Sequence, residues 1–233
     1  MTLALLLVLA ATPAPQSWKF ETDGAPKVEI ANINGSIRVD AVEGKTVSVE
    51  VTQEGSEAER AQYPVEVKQD GDEVTVRVCC GGSCARKTIN CHEPIPTHFT
   101  LKVPRDASLE VSSVGAPVKV SGVAGEQEVT VVGGDVSLKG SRGEVEVSAV
   151  SGDVELAPES LDDISVSTVS GDVKLKLPRG AGADVEFSSV GGHFNGRGGG
   201  IGSTERRYGK GGHSVEVSTV SGSLDVQSDE ETK

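Results

Sequence analysis

Apolar residues recur along the chain in a ten-residue pattern of apolar, x, apolar, x, x, apolar, x, Gly, x, apolar. The clearest copy runs from Ile164 to Val173. The alternation in its first half has a period of two residues, which is typical of a strand with one buried face. Seven copies occur, and each has an anchor residue two positions before the glycine or its equivalent: Ile33, Val114, Val132, Val150, Val169, Val190 and Val220.

The spacing of the anchors from Val114 to Val220 is 18, 18, 19, 21 and 30 residues. A period of about 20 residues indicates stacked repeats. Each unit contains two short strands joined at a glycine, a residue that adopts positive φ without a Cβ penalty. We therefore predict that the repeats turn at Gly35, Gly134, Gly152, Gly171, Gly192 and Gly222.

Two all-β topologies fit this pattern. In a right-handed parallel β-helix, or β-solenoid, equivalent strands stack in register, so that valine lies on valine and glycine on glycine. In an antiparallel β-meander, the Ser-Gly pairs are hairpin turns. We expect the solenoid, because a meander does not require the same residue type at equivalent turns. The repeat domain is predicted over residues 105–228, followed by a disordered tail over 229–233.

Residues 18–104 show a different pattern after the first repeat copy. Segments such as Thr46–Thr52 and Val74–Val78 are predicted to be strands, and Asp70-Gly71 is a hairpin signal. Only Ser56–Gln62 has a helical pattern. We expect this region to be mostly antiparallel and to cap the stack, since an open end exposes unpaired backbone groups.

The N-terminus carries nine consecutive apolar residues, LALLLVLAA, over Leu3–Ala11. This run is too short to span a bilayer, but it suits a signal peptide. Met1-Thr2 departs from that pattern because no cation precedes the run. We predict a signal peptide over residues 1–17, no membrane span in the mature chain, and a periplasmic, outer-envelope or extracellular location.

The four cysteines lie together in CCGGSCARKTINC. In an exported chain an even number suggests disulfides, and three pairings are possible. Zinc is the alternative, with His92 and His98 nearby, although paired C-x2-C spacing is missing. The disulfide candidates are Cys79, Cys80, Cys84 and Cys91.

The chain has 35 acidic and 22 basic residues, for a net charge of −13. Nucleic-acid binding needs clustered cations, so this balance argues against it. One segment, Gly196–Gly212, is locally basic and is a candidate partner-binding loop for an acidic protein or glycan. Its four basic residues are Arg197, Arg206, Arg207 and Lys210.

Asp135, Asp153 and Asp172 follow equivalent glycines and are expected to form a column. A calcium ion could bridge such carboxylates, but Pro117 and Ser223 stand at other equivalent positions, and aspartates that accept hydrogen bonds from turn amides are the simpler expectation. The chain lacks a G-x-S-x-G nucleophile motif and a paired-carboxylate signature. We predict no catalytic residues and no cofactor.

The run from Phe99 to Val226 resembles the bacterial putative-adhesin family, a domain of unknown function. The resemblance is carried by FTLKVP at 99–104, V-S-G-D-V at 150–154 and 169–173, and GGHSVEVSTVSG at 211–222. It implies a β-helix-like fold in an exported or envelope-associated protein, and it brings no catalytic residues.

The leading hypothesis is a non-catalytic, adhesin-like interaction protein of the cell envelope with a protein or polysaccharide partner. The alternative is a self-associating structural protein that stacks end to end. A polysaccharide-acting β-helix enzyme is a third class, disfavoured because aromatic residues for sugar stacking make up only 3% of the chain.

Overall fold

The computed structural model of the chain describes residues 14–84, 91, 94–196 and 201–228. This part of the chain forms nineteen strands and one short helix, so the prediction of an all-β protein is confirmed. The elements are β1 (Gln16–Glu21), β2 (Lys27–Asn32), β3 (Gly35–Val42), β4 (Thr46–Gln53), α1 (Glu57–Gln62), β5 (Val65–Asp70), β6 (Glu73–Val78), β7 (Thr97–Pro104), β8 (Ser108–Ser113), β9 (Val118–Ser121), β10 (Gln127–Gly133), β11 (Val136–Lys139), β12 (Val145–Ser151), β13 (Val154–Ala157), β14 (Ile164–Ser170), β15 (Val173–Lys176), β16 (Ala183–Ser189), β17 (Gly202–Tyr208), β18 (His213–Ser221) and β19 (Leu224–Gln227).

The strands form two sheets. Sheet A has the order β1-β4-β7-β3-β9-β11-β13-β15-β19, and sheet B has the order β17-β16-β18-β14-β12-β10-β8-β2-β6-β5. The repeat strands pair in parallel and in register, so that Val147 lies opposite both Val129 and Val166. This pairing confirms the solenoid-like stack and shows that the meander is wrong.

Each repeat except that of Val190 is one rung that gives one strand to each sheet; the Val190 repeat gives β16 to sheet B and only a bridge between Phe194 and Leu224 at sheet A. The inward residues of both sheets form a single apolar core, in which Val147 of sheet B and Leu138 of sheet A are fully buried. Their polar neighbours, such as Glu146 and Lys139, point outward. The outer faces of the two sheets therefore lie on opposite sides of the molecule.

At the turns, the glycines of neighbouring rungs lie directly against one another. Gly152 has a φ of 118°, and a Cβ there would overlap the carbonyl oxygen of Gly134. Gly35, Gly134 and Gly171 also have positive φ. Gly192 and Gly222 do not, which differs from the expected reason for glycine. Glycine is required at these two positions because the carbonyl of the next rung lies too close for a side chain.

The last rungs are not stacked in chain order. Strand β18 lies between β14 and β16, so the rung of Val220 packs on the rung of Val169 and the rung of Val190 forms the end of the stack. The spacing of 30 residues between the last two anchors arises because β17 first returns antiparallel to β16.

Residues 18–104 are only partly antiparallel. Strands β1, β4 and β5 pair antiparallel with their neighbours, and a turn at Asp70-Gly71 joins β5 to β6 as predicted. In contrast to the expectation, β6 and β7 run parallel to β2 and β3, and they extend the stack by one more rung. The helix α1 is confirmed, with Ser56 as its N-cap in a capping box with Glu59.

The signal-peptide and tail predictions fall largely outside the described residues. Residues 1–13 and 229–233 belong to the parts that the structure does not describe. Gln16 and Ser17, which were assigned to the signal peptide, are the first residues of β1 and pair with Val51 and Glu50 of β4. In the described part, no helix is long and apolar enough to cross a membrane.

Candidate functional site

The most extended surface feature is a row of half-exposed valines along one corner of the solenoid. Each is exposed by 48% to 52%, although for five of the six the preceding residue is buried. The register of sheet B places them side by side on consecutive strands. We call this row the valine ridge; in stacking order its members are Val114, Val132, Val150, Val169, Val220 and Val190.

The outward direction of the ridge was missed in the sequence, although the pattern contains the signal. Val129 and Val131 point inward, so alternation along the strand places Val132 on the outer face. The anchor follows an inward residue by three positions, an odd step that reverses the face. The expectation that valine fills the core therefore holds for the strand positions but not for the anchors.

Two polar columns run beside the ridge on sheet B. Two residues before each valine lies a serine or threonine, and two residues further back there is usually a glutamate. These glutamates are in register, so that Glu128 lies between Glu110 and Glu146, and Glu216 lies opposite Glu186.

On the turn side of the ridge the three aspartates form a hydrogen-bonded ladder. Oδ1 of Asp135 accepts the backbone N–H of Asp153, and Oδ1 of Asp153 accepts the N–H of Asp172, each at 3.0 Å. Asp172 in turn accepts the N–H of Ser223 at 2.9 Å. The ladder links four rungs, and the geometry gives these carboxylates a structural role in the turns.

The predicted basic loop is largely a strand. Arg206 and Arg207 lie in β17, Lys210 lies in the following turn, and Arg197 lies outside the described residues. Nε of Arg207 donates to Oδ1 of Asp184 at 2.6 Å. This contact, together with the N–H of Gly212, holds the pKa of Asp184 below its ordinary value.

Arg206 lies on the other face of β17, with its guanidinium 5.0 Å from the centre of the Tyr208 ring. Tyr208 is buried at the end of the core. Arg206 and Arg207 therefore pack β17 onto the end rung. A partner-binding role for Arg206, Arg207 and Lys210 stays a prediction.

The four cysteines lie at the corner between β6 and β7. Cys79 is paired with Cys84, and Cys80 with Cys91, with Cα–Cα distances of 5.0 and 5.5 Å. None of the described cysteines is free, so none is available as a thiolate ligand for zinc. This pairing is one of the three that the sequence allowed, and it braces a loop that stands where other rungs have a short turn.

A hydrogen-bonded Ser–His–Glu chain, which sequence reasoning missed, lies on the outer face of sheet A. Oγ of Ser36 lies 2.9 Å from Nδ1 of His98, whose Nε2 lies 3.2 Å from Oε1 of Glu54. The side chains of His98 and Glu54 are 37% and 61% exposed. The N–H of Ile37, next to Ser36, already donates to the carbonyl of Pro117. It is therefore not available to stabilise an oxyanion.

Asp162, Asp163 and His213 are the described residues that come closest to a metal-binding set. One ligand atom of each lies within 4.8 Å of the others. All three are exposed, and Oδ1 of Asp163 already accepts the N–H of Ser214 at 3.1 Å. The hydrogen bond gives Asp163 a role in linking adjacent rungs.

Solved structures of similar shape cover nearly the whole chain. A "putative cell adhesion protein" from Clostridium sporogenes ATCC 15579 shares 13% identity over 93% of this chain and 100% of that chain, with a TM-score of 0.49. A "putative adhesin" from Bacteroides fragilis NCTC 9343 shares 12% identity over 92% and 97%, with a TM-score of 0.44. A "putative lipid binding protein" from Parabacteroides distasonis ATCC 8503 shares 12% over 91% and 96%, with a TM-score of 0.41.

A comparison with curated proteins gives no match. The family described as Toastrack DUF4097 matches residues 20–227, which include every repeat. The match agrees with the resemblance to an adhesin-like domain of unknown function and with the stacked rungs. The chain therefore belongs to the Toastrack DUF4097 family.

Proposed function

We propose that this chain is a non-catalytic, exported binding module of the cell envelope, which contacts an extended protein or polysaccharide through the valine ridge. The observation that supports this proposal most directly is the exposure of six stacked valines. Strand spacing of about 4.8 Å makes the ridge roughly 24 Å long. Soluble monomers rarely expose contiguous apolar patches larger than a few hundred Å², and the largest patch on a monomer is often a binding site.

The surroundings of the ridge add specificity. Serine and threonine hydroxyls line one side, and the glutamates and the aspartate ladder lie beyond on either flank. Hydroxyl groups can exchange hydrogen bonds with a polymer that lies along the ridge, while the valines supply apolar contact. Because the same groups recur in every rung, the surface suits a partner that is itself long and repetitive.

The geometry of the other candidate sites supports a binding role over catalysis. The Ser36–His98–Glu54 chain is open to solvent and has the N–H of Ile37 committed to the sheet. A nucleophile without a preorganised oxyanion site lacks the term that usually contributes most to acyl transfer.

The proposal can be tested with a ridge variant that carries Val132→Ser, Val150→Ser and Val169→Ser. The control variant carries Thr100→Ala, Ser121→Ala and Ser137→Ala on the opposite sheet. Immobilised proteins are exposed separately to detergent-extracted envelope protein and to proteinase-treated envelope polysaccharide. We expect the wild type and the control to retain material from one fraction and the ridge variant to retain at least tenfold less. Equal retention by the ridge variant, or no retention by any of the proteins, would contradict the proposal.

A further inference from the structure

The outer faces of the two sheets carry opposite charge. On sheet B, the outward residues of β8, β10, β12, β14 and β18 include glutamates but no lysine or arginine. On sheet A, β9, β11 and β15 carry four outward lysines, whereas β13 and β19 carry outward Glu155 and Asp225 on either side of Lys174, so the net charge of these five strands is positive. We call these surfaces the glutamate face (Glu110, Glu128, Glu146 and Glu216) and the lysine face (Lys119, Lys139, Lys174 and Lys176).

Most of these charges are not neutralised within the molecule. In the described part of the chain, no cation lies within 4.0 Å of Glu128, Glu146 or Glu216. Likewise, no anion of the described residues lies within 4.0 Å of Lys119, Lys174 or Lys176. The exceptions are Lys27–Glu110 at 2.7 Å and Lys139–Glu155 at 3.1 Å. Both faces therefore carry charges that a partner could complement.

The glutamates repel each other in the free molecule. Glu128 is paired in register with Glu110 on one side and Glu146 on the other. Strands in a sheet lie about 4.8 Å apart, and like charges directly opposite each other are destabilising. A surface that brings cations to this column relieves the repulsion.

The lysine face is a surface of this kind, because the same rungs build both faces. Lys119 and Lys139 come from the rungs that carry Glu110 and Glu128, so lysines and glutamates follow the same strand period. A shallow depression of about 580 Å³ on this face is lined by four cations and three carboxylates: Arg38, Lys119, Lys139, Lys174, Asp135, Asp153 and Glu155. The depression therefore offers room for side chains of a partner.

We propose that a second copy of this chain binds the glutamate face with its lysine face, so that molecules associate side by side. The contact joins two different surfaces, so each molecule keeps one free face of each kind and association can continue into a lateral array. This contact is separate from the proposed ligand contact at the valine ridge. It assigns a site and a partner to self-association, which the sequence suggested only as end-to-end stacking.

The ends of the stack are less suited to such growth. At the edge of β19, the N–H of Leu224 donates to the carbonyl of His193, and the carbonyl of Leu224 accepts the N–H of Asn195. The N–H of Val226 donates to Oδ1 of Asn195 at 2.7 Å. The side-by-side mode leaves these contacts intact.

The test uses the full chain with charge reversals at exposed residues that have no internal ion pair. One variant carries Glu128→Lys, Glu146→Lys and Glu216→Lys, and the other carries Lys119→Glu, Lys174→Glu and Lys176→Glu. Starting from a net charge of −13, the first variant has −13 + 6 = −7 and the second has −13 − 6 = −19. Sedimentation velocity over a concentration series reports association, and circular dichroism checks the fold.

We expect the wild type to associate, each variant alone to sediment as a monomer, and an equimolar mixture of the variants to associate again. Net charge alone predicts a different order, in which the −7 variant associates more than the wild type. That order, a monomeric wild type, or a mixture that stays monomeric would overturn the proposal. If a reversal variant does not fold, the milder Glu128→Gln, Glu146→Gln and Glu216→Gln variant should still lose association. The ridge variant distinguishes the two proposals, since it should lose ligand and keep self-association.

Discussion

The backbone N–H of Asp172 donates a hydrogen bond of 3.0 Å to Oδ1 of Asp153, one rung earlier in the stack. The same bond joins Asp153 to Asp135. A carboxylate in each turn thus satisfies a turn amide of the next rung, in the way that an aspartate caps a helix. The repeated Gly-Asp pair therefore adds side-chain hydrogen bonds between turns that backbone bonds such as Val154 N–H to the carbonyl of Asp172 already join.

Removing one aspartate of this ladder should lower stability because a backbone N–H loses its acceptor, and not because a charge is lost. We expect Asp153→Ala to lower the free energy of unfolding by about 1 kcal/mol, because the N–H of Asp172 loses its acceptor. Asp153→Asn keeps a carbonyl acceptor and relieves repulsion from the neighbouring carboxylates, so it should cost less. Urea unfolding of the three proteins provides the measurement. Equal losses for both variants would show that the charge, and not the acceptor, is what matters.

The glycines allow the effects of φ and of rung stacking to be separated. Gly152 has positive φ and a close carbonyl, Gly44 has a φ of 119° with open space around it, and Gly222 has a close carbonyl without positive φ. Left-handed backbone costs an alanine about 1–2 kcal/mol. We therefore expect this cost for Gly44→Ala, and larger losses for Gly152→Ala and Gly222→Ala, because the rungs must separate. Thermal unfolding would contradict this account if Gly44→Ala were the most damaging of the three.

The sequence predicts the stack well because its determinants are local. Alternating valines specify strands, and a glycine every 18 or 19 residues specifies the turns of equal rungs. The position of the last rung depends on long-range pairing instead. Nothing near Val220 indicates that its strand lies between the rungs of Val169 and Val190; the spacing of 30 residues is the only hint.

The candidate surfaces were harder to predict. Arg206 and Arg207 lie in an edge strand, GSTERRY, in which only Tyr208 is buried, so the strand lacks the alternation of apolar and polar residues that marks a strand in the sequence. The contact between Ser36 and His98 joins residues 62 positions apart and requires the pairing of β3 with β7. Residues this far apart in sequence leave no local pattern that links them, so only the folded structure reveals the grouping.

Asn195 should control the edge of β19. It is the only described residue other than glycine with positive φ, its Oδ1 accepts the N–H of Val226, and its Nδ2 donates to Oη of Tyr208 at 3.1 Å. We expect Asn195→Ala to lose about 1–3 kcal/mol, since an amide and a phenol lose their partner and the alanine is left in an unfavourable backbone conformation. Hydrogen exchange should accelerate strongly at the Val226 amide and much less at Leu224, whose amide donates to His193. Uniform acceleration along β19 would instead indicate general unfolding of the strand.

The pH dependence of stability should report the contact between Arg207 and Asp184. The guanidinium of Arg207 holds the pKa of Asp184 below its ordinary value, and Arg142 and Lys139 do the same for Glu159 and Glu155. A carboxyl whose pKa is lower in the folded state contributes stability above its unfolded pKa, about 4. That contribution is lost as the pH falls through the folded value. We therefore expect urea midpoints to change little between pH 7 and pH 5, both well above that value, and to fall below about pH 4.

The variant Asp184→Asn measures how much of the pH dependence of stability comes from Asp184 alone. It cannot form the charged contact with Arg207, so it should be less stable than the wild type at neutral pH, while the two proteins should converge as the pH falls and the wild-type carboxyl becomes protonated. Ser165→Ala, at an outward position of β14 with no hydrogen bond or ion pair in the described structure, is a suitable control and should follow the wild type at every pH. A constant difference between Asp184→Asn and the wild type across the acid range would show that the carboxylate stabilises β17 by packing and not by its charge.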